Sequence, residues 1–154
     1  MKDLPSKMAD YYPPAGFHFL VRFEDFNGEK DSRFQEVNGL SVTMSTEEFE
    51  EGGETRFKHE LPRGTSYDNL ILKRGIIKNS EIVEWCKEAI ENLNFKPKNL
   101  LVILLNENHD ELCSWNVVHA YPVKWSFAGL NAETSELVIE TIELNYHYFT
   151  LKNL

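Results

Sequence analysis

Histidine and cysteine are the residue types in this chain that could hold a metal ion. The sequence contains five histidines and two cysteines, which stand singly at His18, His59, His109, His119, His147, Cys86 and Cys113. Zinc sites in proteins usually present two ligands at close spacing, and neither a CxxC nor an HExxH pair occurs. The spacing therefore predicts no metal site. It favours two reduced, buried thiols and leaves a disulfide open.

Carboxylates form the densest cluster of chemical groups, at Glu47, Glu48, Glu50, Glu51 and Glu54. This cluster lacks the alternating Asp and Asn ligands of a calcium loop, and no helix follows where such a loop requires one. Two interpretations remain, a solvated charge run and a contact surface for a basic partner. The chain also lacks the GxSxG, P-loop and GxGxxG motifs of common hydrolases and nucleotide-binding proteins. We expect no enzyme activity and no cofactor.

The composition points to one soluble domain. The 154 residues carry 25 acidic and 16 basic side chains, a formal net charge of −9, which disfavours tight DNA binding. The longest apolar run, residues 100–105, is far too short to span a bilayer, and no leader-like segment opens the chain, so we expect no membrane anchoring. Because interleaved Arg and Lys are missing around Trp85, Trp115 and Trp125, these side chains are predicted in the core or an interface rather than on a base-stacking platform.

Hydrophobic periodicity predicts a mainly β fold. Residues 17–23 alternate as a half-buried strand, and Asn27-Gly28 is a turn that leads to an antiparallel partner. Further strands are predicted at 70–72, 100–105, 112–119, 121–128 and 136–149. The helical period appears only at 79–93, with Ser80 as its N-cap. The pattern predicts a small antiparallel β-barrel or sandwich of about seven strands with one flanking α-helix, formed by residues 17–154 after an extended arm at 1–16.

A long β-ribbon is predicted between residues 34 and 75. Its strand-like halves, 34–44 and 55–61, flank an acidic segment at 46–54, and Pro62-Arg63-Gly64 is predicted as a turn. The glycine of Asn38-Gly39 is interpreted as a bulge rather than a hairpin turn. A buried tip would leave its charges without water, so we expect the ribbon to protrude and to meet another molecule.

The order of these motifs resembles that of the tail tube proteins of contractile phages and phage-tail-like injection systems, which are related to the type VI secretion tube protein. The resemblance spans about residues 16–148. It rests on the segments FQEVNGL (34–40), EGG (51–53), LP (61–62) with Gly64, LILKRG (70–75), Trp115, AYPVK (120–124) and ETIEL (140–144). The arm that ends in Tyr11-Tyr12-Pro13-Pro14 lies outside the segments that match.

The resemblance implies a structural subunit that assembles as stacked homo-hexameric rings, inside a contractile sheath and bound to baseplate and tail-terminator proteins. The lumen would pass DNA or effector cargo. The particle would assemble in the bacterial or host cytoplasm and then act as a virion tail or as an extracellular or cell-associated injection particle. The expected inter-subunit contacts lie on the ribbon, at Ser41, Thr43, Thr46, Glu47, Glu48, Phe49, Glu50, Glu51, Gly52, Gly53, Glu54, Arg56 and Lys58. Two alternatives remain, a tube-initiator or baseplate-adaptor subunit of the same fold and a monomeric small-ligand-binding β-barrel.

Overall fold

Ten strands and one helix make up this computed structural model, which describes residues 18–27, 33–50, 52–53, 56–133 and 137–154. The predicted arm at 1–16 lies outside the described residues. In chain order the elements are β1 (His18–Phe23), β2 (Arg33–Phe34), β3 (Glu36–Asn38), β4 (Val42–Phe49), β5 (His59–Tyr67), β6 (Leu70–Gly75), α1 (Glu81–Glu91), β7 (Lys98–Leu105), β8 (Glu111–Ala128), β9 (Ile139–Asn145) and β10 (Tyr148–Asn153). The predicted fold class is confirmed, although the number of strands is higher than the seven expected.

The long strand β8 joins two antiparallel sheets. Its first half pairs with β7 and β10, and its second half pairs with β9. One sheet thus contains β2, β1, β7, β8 and β10, and the other contains β3, β6, β9 and β8. The prediction of two separate strands at 112–119 and 121–128 is wrong, because the positive φ of His119 (61°) bends the chain without ending the strand.

The two end strands of this arrangement, β2 and β3, are consecutive in the chain. Only Gln35 separates them, and its backbone N–H donates to the carbonyl of Lys73 in β6 (2.8 Å). Segment 33–38 therefore pairs first with β1 and then with β6. The sheets curl toward each other through this segment, which gives the sandwich a barrel-like section.

The core fills the space between the sheets with alternating side chains. Along β9 and the residue that follows it, Glu140, Ile142, Leu144 and Tyr146 all point inward and are buried. They pack among the other core residues, which include Val21, Phe23, Leu70, Leu72, Ile82, Trp85, Val102 and Val117. The prediction of one closing strand at 136–149 is wrong, because strand β9 ends at Asn145 and a separate strand, β10, begins at Tyr148, which is exposed.

Helix α1 begins at the predicted N-cap. The hydroxyl of Ser80 accepts a hydrogen bond from the backbone N–H of Val83 (3.2 Å), which satisfies one of the free donors at a helix start. The buried side of the helix includes Trp85, whose ring packs edge-on against Phe23 of β1 (centroids 5.5 Å apart). Within the described ranges, no helix is both long and apolar enough to cross a membrane.

A buried ion pair joins the helix start to the second sheet. Arg74 of β6 and Glu140 of β9 are register partners, and their side chains are 2% and 0% exposed. Arg74 Nε donates to Glu140 Oε2 (2.9 Å), and its guanidinium also donates to Ser80 Oγ (2.7 Å). Glu140 Oε1 accepts from Trp125 Nε1 (2.8 Å). Because every oxygen of the carboxylate has a partner, this pair fixes the position of the helix relative to β6, β8 and β9.

Candidate functional site

Four of the five histidines form two pairs across neighbouring segments. The rings of His119 and His147 stack with centroids 3.9 Å apart, and those of His18 and His109 lie 5.3 Å apart. In the part of the chain that the structure describes, no three His, Cys, Asp or Glu side chains are grouped to hold a metal.

Both cysteines are buried and free, which confirms the prediction of two reduced thiols. Burial raises the pKa of the Cys86 thiol to about 12, with a smaller contribution from Glu140, and burial also raises the pKa of Cys113. Because the thiolate is the reactive form, neither group is a ready nucleophile at neutral pH.

Slow labelling of the thiols is the expected experimental result. At pH 8, a pKa of about 12 in place of 9.0 lowers the thiolate fraction of Cys86 roughly 1000-fold. We expect both cysteines to react with an aromatic disulfide reagent at least about 100-fold more slowly than free cysteine, and at the ordinary rate in guanidinium. Fast labelling of the native protein would show that at least one thiol is open to solvent.

The ribbon is the exposed feature of the fold. Strands β4 and β5 pair with each other, from Val42 opposite Tyr67 to Phe49 opposite His59, and with no other described strand. All of β4 and nearly all of β5 are exposed. An eight-residue strand is about 27 Å long, so the ribbon extends well beyond the sandwich. The prediction of a protruding ribbon is confirmed.

Two of its predicted boundaries are wrong. Strand β5 runs through Pro62-Arg63-Gly64, which the sequence predicts as a turn, and β4 continues to Phe49 although the acidic tip is predicted from residue 46. The register shifts between Ser45 and Thr46, which leaves Arg63 as a bulge beside the proline. Strands without a neighbour on their outer edge tolerate proline at such a bulge. The tip therefore comprises residues 50–58.

The two faces of the ribbon differ in character. Cross-strand partners share a face, so Val42, Met44 and Tyr67 lie together near the sandwich. The opposite face carries Phe49 and Leu61 at its far end, where the Phe57 and His59 rings meet at 4.9 Å; Phe49, Phe57 and Leu61 are 54%, 57% and 55% exposed. We call this group, Phe49, Phe57, His59 and Leu61, the tip patch. Aromatic side chains this exposed are typical of a contact surface.

The predicted contact residues lie in or beside β4 and at the tip of the ribbon, and none lies in β5. The predicted contact residues in or beside β4 and at the tip are Ser41, Thr43, Thr46, Glu47, Glu48, Phe49, Glu50, Gly52 and Gly53. Arg56 and Lys58 precede β5, whereas Glu51 and Glu54 lie outside the described residues. All described residues of this set are exposed, so a partner can reach them. Their role in contacts between subunits stays a prediction.

Charge on the ribbon is predominantly negative. Residues 41–67 contain six glutamates against three Lys and Arg residues. Lys58 Nζ lies 2.8 Å from Glu48 and 3.8 Å from Glu50, so it partly neutralises one side of the tip. Such exposed pairs add little stability, and the acidic surplus remains for a basic partner or for water.

A polar anchor holds the base of the ribbon on the sandwich. Tyr146 Oη donates to the carbonyl of Gly39 (3.1 Å), and burial raises the pKa of this phenol to about 12, which keeps the donor protonated. Asn69, where the chain returns from the ribbon, donates to Glu143 (2.9 Å) and accepts from Asn145 (3.0 Å). The ribbon therefore leaves the sandwich at a fixed place.

Close packing at Gly39 completes this anchor. The residue has a φ of +89°, and a Cβ there would lie 1.8 Å from the carbonyl oxygen of Asn69. The chain bends at this glycine and continues into β4 without reversing, so the interpretation of Asn38-Gly39 as a bulge-like bend is confirmed and a hairpin turn is excluded. Tyr67 then packs edge-on against Tyr146 and Phe149.

Sequence analysis missed most of this anchor. Only Asn38-Gly39 carried a local signal. Asn69 is 74 residues from Glu143 and 76 from Asn145, and Gly39 is 107 residues from Tyr146, so these groups meet only in the fold. The tip patch was also missed in part. The alternation of Phe57, His59 and Leu61 is visible in the sequence, but a strand pattern alone does not show that its apolar face is open to solvent.

Fold and ribbon define the class of the protein: a curled β sandwich that presents a firmly anchored ribbon to its surroundings. The model of the T4-like virus tail tube protein gp19 family matches residues 15–150, and the chain belongs to this family. Members of the family are structural tube proteins, and the predicted resemblance is confirmed.

Solved structures of contractile-system proteins share the fold. A chain of the anti-feeding prophage baseplate is 26% identical, with 92% of this chain and 97% of that chain covered and a TM-score of 0.78. A chain of the sheath-tube complex of the PVC extracellular contractile injection system shares the fold at 21% identity, with coverages of 99% and 100% and a TM-score of 0.79. Hcp1 from Flavobacterium johnsoniae is a more distant match in fold, at 14% identity, 89% and 96% coverage and a TM-score of 0.53. A search of curated protein sequences finds no match.

Proposed function

We propose that this chain is the inner-tube subunit of a contractile tail or injection system and assembles as stacked hexameric rings. The observation that carries the proposal is the ribbon, which is exposed on both faces. A two-stranded ribbon without other support is marginally stable in water, so its exposed apolar groups favour a structure in which other chains cover it. The family of tail tube proteins supplies the kind of assembly.

Unpaired strand edges support ring formation. Within the described ranges, the outer edge of β10 and one edge of residues 121–128 in β8 have no strand partner. These edges belong to different strands, so one copy can add its edge to a different edge of the next copy. Such head-to-tail contacts generate a ring when the rotation closes.

The remaining partners follow from the assembly. A sheath would surround the tube, and baseplate and terminator proteins would bind its ends; the similarity to chains from a sheath-tube complex and a baseplate supports this arrangement. The lumen would pass DNA or effector cargo. If part of the net charge of −9 lines it, the wall repels nucleic acid instead of retaining it. The particle would assemble in the cytoplasm and function as a virion tail or an injection particle outside the cell.

A tube-initiator or baseplate-adaptor subunit is the second candidate function. The 26% identity to an anti-feeding prophage baseplate chain over nearly the whole length favours it specifically. The two roles differ in self-assembly, since a main tube subunit stacks without limit whereas an initiator forms a single ring. The monomeric ligand-binding barrel has less support, because core side chains fill the space between the sheets.

Shortening the ribbon tests the proposal. Residues 46–63 are replaced by Asn-Gly, which joins the register partners Ser45 and Gly64 through a two-residue hairpin turn. We expect the variant to fold but to form at least about tenfold fewer rings or tubes than the wild type. The removed part carries the tip patch and most of the acidic charge of the ribbon. Negative-stain microscopy and light scattering after size exclusion measure the assembly.

The control is Lys87→Ala on the exposed side of α1, which keeps the ribbon intact and should assemble as the wild type does. Cooperative thermal unfolding of the shortened variant shows that the sandwich survives. A wild-type chain that stays monomeric at high concentration, or a shortened variant that assembles normally, contradicts the proposal.

A further inference from the structure

A cavity of about 730 Å³ lies along β1 and is also lined by residues of β2 and β7. Its lining includes apolar groups from β1, β7 and the residue Phe26; Leu20 and Leu105 are half-buried, whereas Ile103 is buried. Its volume is in the range of sites that bind sizeable ligands or side-chain groups. The cavity plays no part in the ribbon or in its anchor.

Two arginines line this apolar surface although the protein as a whole is acidic. Arg22 and Arg33 both line the cavity, together with the stacked pair His18 and His109. The acidic residue of the described lining is Glu111, which already accepts a hydrogen bond from Asn153 (3.1 Å). Among the described residues neither Arg22 nor Arg33 has a carboxylate within 4 Å, although Arg22 interacts at longer range with Glu111, which offsets part of its charge. Two exposed guanidinium groups beside an apolar surface are typical of a site for an acidic, partly aromatic partner.

The ribbon tip has the complementary composition. Glu47 and Glu50 contribute negative charge next to the exposed aromatic rings of Phe49 and Phe57. A ribbon about 27 Å long reaches across a large part of a neighbouring domain, whose radius of gyration is about 15 Å for this chain length. Charge, aromatic content and reach therefore agree.

We infer that the cavity along β1 is the receiving site for the ribbon tip of a neighbouring copy. The tip patch covers the apolar surface, and the glutamates of the tip face Arg22 and Arg33. This inference rests on the proposed function, because it needs copies that assemble through the ribbon, and it adds the surface that the ribbon meets.

Cross-linking between copies tests the contact directly. Asn27→Cys places a thiol at the cavity, and Gly52→Cys places one at the tip, where an added Cβ meets nothing within 4 Å. The two single variants are mixed, co-assembled and mildly oxidised; the native cysteines are buried and do not compete. We expect a covalent dimer of one Asn27→Cys chain and one Gly52→Cys chain on a non-reducing gel. Lys87→Cys on the exposed side of α1 replaces Asn27→Cys as the control and should give at least about tenfold less product.

Charge reversal gives a second readout. Arg22→Glu with Arg33→Glu should reduce the assembled fraction at least about tenfold, and Glu47→Arg with Glu50→Arg should do the same. Mixing the two double variants should restore assembly through tip-to-cavity contacts of opposite charge. Glu84→Arg with Glu91→Arg on the exposed side of α1 is the matched control and should change assembly little.

The outcomes separate the inference from the proposed function. If the wild type assembles but the Asn27–Gly52 cross-link forms no better than the control, the ribbon meets another surface and only the receiving site is wrong. A double variant with Asn27→Cys and Gly52→Cys in the same chain gives a further check. A cross-link within one such monomer also overturns the inference, since the cavity then binds the ribbon of its own chain. If the wild type does not assemble at all, both the proposed function and the receiving site are wrong.

Discussion

Replacing Glu140 by alanine is expected to lower the free energy of unfolding by about 3–5 kcal/mol. The change leaves the guanidinium of Arg74, which is 2% exposed, in the core without its counter-ion. It also removes the acceptor of the Trp125 indole N–H. Urea denaturation followed by tryptophan fluorescence measures the change, at a protein concentration where the assembly state of wild type and variant is the same.

Three further variants separate the ion pair from simple loss of packing. Glu140→Gln keeps an acceptor for Trp125 but removes the charge, and should lie between the wild type and the alanine variant. Arg74→Met combined with Glu140→Leu should be less destabilised than the sum of its single changes, because no buried charge is left alone. Glu36→Ala removes the exposed partner of the adjacent Lys73 (3.1 Å) and should change stability little. Equal losses for Glu140→Ala and Glu36→Ala would contradict the role of burial.

The second large effect is expected at the base of the ribbon, for Gly39→Ala. A positive φ of 89° costs an alanine about 1–3 kcal/mol, and its Cβ would in addition lie 1.8 Å from the Asn69 carbonyl oxygen. We expect a total loss of at least about 2 kcal/mol, together with faster amide exchange in β4 and β5, because the anchor has to open. Hydrogen exchange and urea denaturation measure the two effects.

Two other glycines serve as controls for this change. Gly53 has a φ of +115° but nothing within 4 Å of an added Cβ, so Gly53→Ala tests the backbone strain without the clash. Gly64 in β5 has open space at its Cβ and no positive φ, and Gly64→Ala should be neutral or slightly stabilising. If Gly39→Ala is as mild as Gly64→Ala, the base of the ribbon is not closely packed.

The Arg74–Glu140 pair and the bend at Gly39 differ in how far the sequence predicts them. The sequence predicts the strands that carry Arg74 and Glu140, but it gives no sign that the two side chains pair, because they are 66 residues apart and the pairing depends on the register of β6 with β9. At Gly39 the sequence predicts a bend. The carbonyl of Asn69 that makes glycine necessary there comes from the segment between β5 and β6, where the chain returns from the ribbon.

Errors in the predicted strands have a common cause. Local sequence patterns show alternating side chains and turn residues. Where a strand ends, however, depends on its pairing with neighbouring strands. Pro62-Arg63-Gly64 is turn-like in composition but lies in β5, because Arg63 forms a bulge and the pairing with β4 continues on both sides of it. His119 lies in the middle of β8, where neighbours on both sheets hold the bent chain.

The sequence by itself determined the class of fold, the single capped helix, the protruding acidic ribbon and the resemblance to tail tube proteins, because periodicity, turn residues and motif order are local properties. The tertiary structure decided where the ribbon is anchored, which of its faces exposes aromatic rings, and that two arginines line an apolar cavity along β1. These features depend on contacts between distant segments, and a linear pattern contains no information about which side of a strand its neighbours cover.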